Sequence, residues 1–188
     1  MSILETEGLI WRRQGKGTFV GPTRRSAALN VAALSNRTNL IEVMEARLHL
    51  EPSLAALAAV RGSAEQITML RRLAKQTAQQ QRAANDPDEL ERCDSAFHRG
   101  IAEAAGNRLL LDIFELVDTI RIDPIWQALR QRARTANLRT GYTRDHDLIV
   151  DAIAERNSVG AAAAMRSHLR TLQQALDDTI HRDLEGRE

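Results

Sequence analysis

The sequence predicts an all-α protein, an antiparallel bundle of six to seven helices preceded by a small β-hairpin. Three observations carry this. Only 10 Gly and 4 Pro interrupt 188 residues rich in Ala, Leu, Arg, Glu and Gln, which lose little on entering a helix. Apolar residues recur at helical spacing from about residue 38 onward, with capping residues between the runs. Near the start, "LETEGLIWRRQGKGTFV" reads as a helix end and two short strands around Gln14-Gly15-Lys16-Gly17, since glycine supplies the backbone angles of a tight hairpin.

The elements follow in order. Residues 1–22 hold the hairpin, and 23–37, where Arg24 and Arg25 are followed by weakly patterned small residues, read as a linker. Thr38 or Asn39 caps a helix to about Arg61, with Leu40, Met44, Leu48, Ala55 and Ala58 inward and a bend at Pro52. Ser63 and Gln66 form a capping box for a polar helix over roughly 64–84. Asp86-Pro87 opens a third helix, because Asp caps well and Pro suits the first turn, and Gly106 closes it. A fourth starts near Arg108 and breaks at Pro124 into two pieces before a loop around Asn137 to Tyr142. A fifth spans about Thr143 to Arg156 and ends on Asn157, a residue that tolerates the left-handed conformation. Ser158 starts the last, to about Arg182, and the bundle occupies 38–184.

Composition narrows the function. Apolar residues make up 43% but aromatics only 3%, so the core is aliphatic. The single cysteine, Cys93, excludes an internal disulfide and fits a reducing compartment. Acids break the most apolar stretch, "LLLDIFELVDTI", and Glu5 and Glu7 stand where a cleavable leader would be apolar; a soluble cytoplasmic protein with no membrane association is expected. Residues 1–38 carry six basic side chains (Arg12, Arg13, Lys16, Arg24, Arg25, Arg37) against two acids, net +4, while the remainder holds 20 basic and 23 acidic, net −3. Only the front end suits phosphate contact, through Arg12, Arg13 and Lys16; a solvated basic tail has the same composition.

Five histidines divide by helix face. Asp94 and His98, four apart, adjoin the apolar row of Leu90, Phe97, Ile101 and Ala105. His146 aligns with Ile149, Val150 and Ile153, and His168 with Met165, Leu169 and Leu172, whereas His49 and His181 fall on polar sides. Burying three imidazoles and a carboxylate costs several kcal/mol, on the order of what isolated polar groups lose with their water, unless they share a partner. A lone core histidine is commonly a hydrogen-bonded structural residue; four such residues on apolar rows point to one metal ion, with Zn, Ni, Mn or Fe suited to nitrogen-rich sites. Arg47 and Glu51, also four apart, read either as an intrahelical ion pair of little value or as an arginine fork offered to a carboxylate at the metal. No separate acid, base or nucleophile motif accompanies them, so an enzyme is not expected.

Four segments, "LETEGLIWRRQGKGTFV", "EARLHLEPSLAALAAVRG", "DSAFHRGIAEAAGN" and "RDHDLIVDAIAERNSVGAAAAMRSHL", come in an order and spacing that resemble GntR-type transcriptional regulators of the FadR subfamily, with an FCD ligand-binding domain. The resemblance implies a helical sensor whose metal is held by an Asp and three His, matching Asp94, His98, His146 and His168. It implies a small organic-acid effector assisted by Arg47, a homodimer, and an operator whose binding the effector alters. A complete member carries a helix-turn-helix before "LETEGLI"; here the chain starts near the end of that recognition helix, so a winged-helix remnant, with specific DNA binding lost, is expected. A stand-alone sensing or dimerisation module is the other expectation.

Overall fold

The structure is a computed structural model that describes residues 10–13, 17–20, 31–83, 86–122 and 136–185. The backbone divides into two units, Met1–Asn36 and Arg37–Glu188. In the first, strands β1 (Ile10–Arg13) and β2 (Gly17–Val20) pair antiparallel, with Ile10 opposite Val20 and Arg13 opposite Gly17. Gly17 therefore belongs to the second strand rather than to the turn, and the rest of the expected turn lies outside the described residues. Within the expected linker, Val31–Ser35 form a short helix, α1.

The second unit holds six helices among the described residues, and all but one start at a residue the sequence marks. Asn39 caps α2 (Leu40–Arg61): its Oδ1 accepts from Glu42 N at 3.0 Å while Glu42 Oε2 accepts from Asn39 N at 3.1 Å. The helix runs unbroken through Pro52. Ser63 and Gln66 exchange the same pair of bonds ahead of α3 (Ala64–Ala83). Asp86 accepts from two backbone N–H groups ahead of α4 (Pro87–Ala104), and Gly106 leaves it with φ of 63°, a left-handed angle that favours glycine. Asn107 caps α5 (Arg108–Arg121). The expected break at Pro124 lies outside the described residues.

Two boundaries differ from expectation. Helix α6 (Ala136–Ala154) begins at Ala136, so the loop expected over Asn137 to Tyr142 is helical. One interior glycine, Gly141, costs a helix only about 1 kcal/mol, and Ala136, Leu138 and Arg139 favour it. At its other end Arg156, not Asn157, is left-handed, with φ of 60°. Asn157 is claimed by the next element, α7 (Ser158–Glu185): its Oδ1 accepts from Gly160 N at 2.8 Å. Arg156 gains in exchange, its Nη1 donating to the carbonyls of Gly62 at 2.6 Å and Ala59 at 3.2 Å.

Helix α2 is central, packing on α4, α5, α6 and α7, while α3 covers α4 and α6. Alanines at 55, 58, 59, 102 and 161 are fully buried and let these helices approach closely around Phe97, Ile101, Ile149, Ile153, Met165 and Leu169. The core is aliphatic as expected.

Candidate metal centre

The rows that build this core also carry its polar residues inward. Asp94 and His98 enter from α4 on the turns that flank Phe97, His146 from α6 one turn before Ile149 and Val150, and His168 from α7 beside Leu169. All four are at most 2% exposed. One potential ligand atom from each lies within 4.8 Å of all the others. Two ligands at about 2.1 Å on opposite sides of a transition metal stand about 4.2 Å apart, so a shift of a few tenths of an ångström would close the set. Asp94 Oδ1 faces His146 Nε2 at 3.5 Å and His98 Nε2 at 3.8 Å. Phe97 stacks on the His146 ring with centroids 4.0 Å apart, fixing its plane.

Burial lowers the affinity of His146 and His168 for a proton, and the other imidazoles push in the same direction. His146 falls well below the ordinary histidine value. Neutral rings keep the lone pairs a metal needs. Asp145 Oδ2, 3.5 Å from His168 Nδ1, partly opposes the shift there.

Two buried guanidiniums surround the cluster. Arg47 Nε donates to Glu51 Oε1 at 2.5 Å, and Glu51 Oε2 lies 2.5 Å from His98 Nδ1. Burial opposes the charge on Glu51, but Arg47 and His98 outweigh it and hold its carboxyl far below the usual carboxylate range. Arg121 reaches Asp118, Glu91 and Asp94 at 2.8, 2.9 and 3.5 Å.

The structure thus brings together Asp94, His98, His146 and His168, and sets Arg47 and Glu51 beside them, both buried. His49 and His181 are exposed, as their helix faces predict. Arg12 and Arg13 stand in β1, but their side chains, like all of Lys16, lie outside the described residues. Sequence reasoning missed Arg121, Glu91 and Asp118. A clue was present: Arg121 lies seven residues after Phe114, on the same buried face of α5, an arginine where the pattern calls for an apolar residue.

Residues 42–171 match the FCD domain, well over half of the chain. The "Uxu operon transcriptional regulator" of Escherichia coli (strain K12) is 30% identical over 177 residues, 93% of this chain and 68% of that relative. The chain belongs to the GntR-type transcriptional regulators with an FCD domain. This GntR-type regulator is also 26% identical to the "HTH-type transcriptional regulator LutR" of Bacillus subtilis (strain 168), over 94% of its own length and 81% of LutR. Its fold resembles the solved "Streptococcus agalactiae GntR", with a TM-score of 0.58 at 24% identity, over 91% of this chain and 77% of the other. These relatives are named as regulators of transcription, the class expected for this one. The Asp/His cluster falls inside the FCD domain, since Asp94, His98, His146 and His168 all lie between residues 42 and 171.

Proposed function

We propose that the chain is a metal-dependent regulator of the FadR type that senses a small carboxylate. One observation carries the reading: four potential ligand atoms from three helices stand within 4.8 Å of one another in an aliphatic interior. Asp94, His98, His146 and His168 would hold the ion, and the three nitrogens with one oxygen suit Zn, Ni, Mn or Fe. When bound, such an ion supplies a Lewis-acidic point of attachment for an acid's carboxylate.

The chain's own residues do the remaining work. Phe97 holds the His146 ring, and Glu51 orients His98 through Nδ1 so that Nε2 faces the cluster. Among the described residues Arg47 Nη1 is buried without a hydrogen-bond partner while Nε is held by Glu51, so the fork has a donor to offer an incoming carboxylate. The aliphatic core keeps bulk water from competing for that charge.

In this reading residues 38–184 form the sensor, 23–37 the linker and 1–22 part of a winged helix-turn-helix. Two copies associate as a homodimer in the cytoplasm. Arg12, Arg13 and Lys16 touch DNA phosphates, contacts that carry no sequence information directly, so the hairpin alone would bind DNA weakly and without specificity.

Elemental analysis of the purified chain, followed by thermal-shift screening of hydroxy acids and sugar acids before and after chelation, tests the proposal. The expected outcome is a retained transition metal and a melting temperature raised by at least one acid only while metal is bound. A chain that retains no metal after purification and reloading would sink it.

A further inference from the structure

We propose that Arg121 is a positioning residue of the metal centre, holding Asp94 so that a single carboxylate oxygen faces the ion; this rests on the metal reading above. Arg121 is 2% exposed and joins two helices. Its Nε donates to Asp118 Oδ1 at 2.8 Å, one turn earlier on α5, and its Nη1 donates to Glu91 Oε2 on α4 at 2.9 Å. The same Nη1 lies 3.5 Å from Asp94 Oδ2.

Asp94 is thereby divided between two surroundings. Oδ2 faces the guanidinium, and Oδ1 faces the ring nitrogens of His146 and His98. A carboxylate ligand without an outer partner can bind through either oxygen or both. A buried cation against one oxygen removes that choice and leaves the other for the ion.

The tether is itself anchored. Ser95, adjacent to Asp94 in α4, donates its hydroxyl to Asp118 Oδ2, so neighbouring residues of α4 meet neighbouring positions of one α5 clip. Without the guanidinium, the carboxylates of Glu91, Asp94 and Asp118 would repel one another, and Asp94 would turn. A tie that served only to join α4 and α5 would need Glu91 and Asp118 alone; the approach to Asp94 is what links it to the cluster.

The experiment measures affinity of the full chain for Zn(II) by competition with a colorimetric chelator, and the visible spectrum of the Co(II)-loaded protein. Four proteins are compared: the parent, Asp94→Ala, Arg121→Lys and Asp118→Asn. Lysine keeps the charge but loses the fork. Asp118 and Ser95 line an open cleft of about 450 Å³, where a change of side chain meets less packing resistance than in the core. Arg121→Lys is expected to weaken Zn(II) binding about 10- to 100-fold and to change the Co(II) band, with Asp118→Asn altering both in the same direction and less.

If Asp94→Ala loses binding while folded Arg121→Lys and Asp118→Asn keep the parent's affinity and spectrum, the proposal is overturned and the metal reading stands. If the parent itself binds no metal, the metal reading falls first and this inference with it. Should Arg121→Lys fail to fold, Asp118→Asn decides alone: a weakened site with an altered spectrum supports the proposal, and the parent's values overturn it.

Discussion

Glu51 Oε2 lies 2.5 Å from His98 Nδ1, joining α2 to the first of the three clustered imidazoles. The other oxygen of Glu51 is held by Arg47 at 2.5 Å. The carboxylate thus fixes the His98 ring and directs Nε2 towards Asp94 and the other histidines. Glu51→Gln replaces one carboxylate oxygen by an amide nitrogen and leaves Arg47 without its counter-ion. Metal affinity should fall about 10- to 100-fold while the helical circular dichroism stays close to the parent's. Chelator competition reads the affinity; parental affinity in a folded variant would remove Glu51 from the site.

His168→Ala separates the site from the scaffold. The ring is fully buried between α6 and α7, but the surrounding stability comes from Met165, Leu169, Leu172 and the facing aliphatic residues. Most of the bound metal should be lost on purification, with helical content retained and a lower melting temperature from the cavity left behind. Metal content equal to the parent's would remove His168 from the ligand set.

Much of this was legible in the sequence because it depends on local periodicity. Caps at Asn39, Ser63 and Asp86 act within one turn, and the rows through Phe97, Ile149 and Leu169 fix which way Asp94, His98, His146 and His168 point. What a single helix cannot reveal is its neighbour. Arg121 meets Glu91 thirty residues away, and Glu51 meets His98 across two helices, so neither partnership has a spacing signature. The left-handed residue was misplaced for the same reason: Arg156 is held by the carbonyls of Ala59 and Gly62 at the end of α2, far back in the chain.

Acid should weaken the metal-free protein. The proton affinities of His146 and His168 are lowered in the fold, so below the ordinary histidine value of about 6.5 the unfolded chain binds more protons. Their neutral burial is therefore tolerated in full above that value, and stability drains away as pH falls from it towards their lowered values. One unit below, both groups oppose folding, and the melting temperature should be lower than above the ordinary histidine value. Melts of chelator-treated protein at about pH 7.5 and about pH 5.5 provide the comparison. An unchanged or higher melting temperature at the lower pH would mean that these rings already carry protons.

Arg47→Lys tests how the acid is held. Lysine can still pair with Glu51, so the His98 orientation and the metal should survive nearly intact. The planar fork is lost, and with it the donor at Nη1. Carboxylate affinity of the metal-loaded chain should fall about tenfold or more, the scale of one charge-assisted hydrogen bond. Calorimetric titration with an acid identified by thermal shift measures it, and parental affinity would place Arg47 outside the effector's contacts.

Arg156 sets two opposing effects against each other. A non-glycine residue at φ of 60° costs about 1–2 kcal/mol, which Arg156→Gly would relieve. The same change deletes donations to the carbonyls of Gly62 at 2.6 Å and Ala59 at 3.2 Å, charge-assisted bonds worth about 1.5–3 kcal/mol each when well shielded and less for this exposed side chain. Glycine also gives the unfolded chain more freedom to lose. Two bonds and that entropy outweigh one relieved angle, so Arg156→Gly should lower stability by about 1 kcal/mol, seen as a melting temperature roughly 2–4 °C lower. A higher melting temperature would mean that the strain dominates and that the α2 carbonyls find water instead.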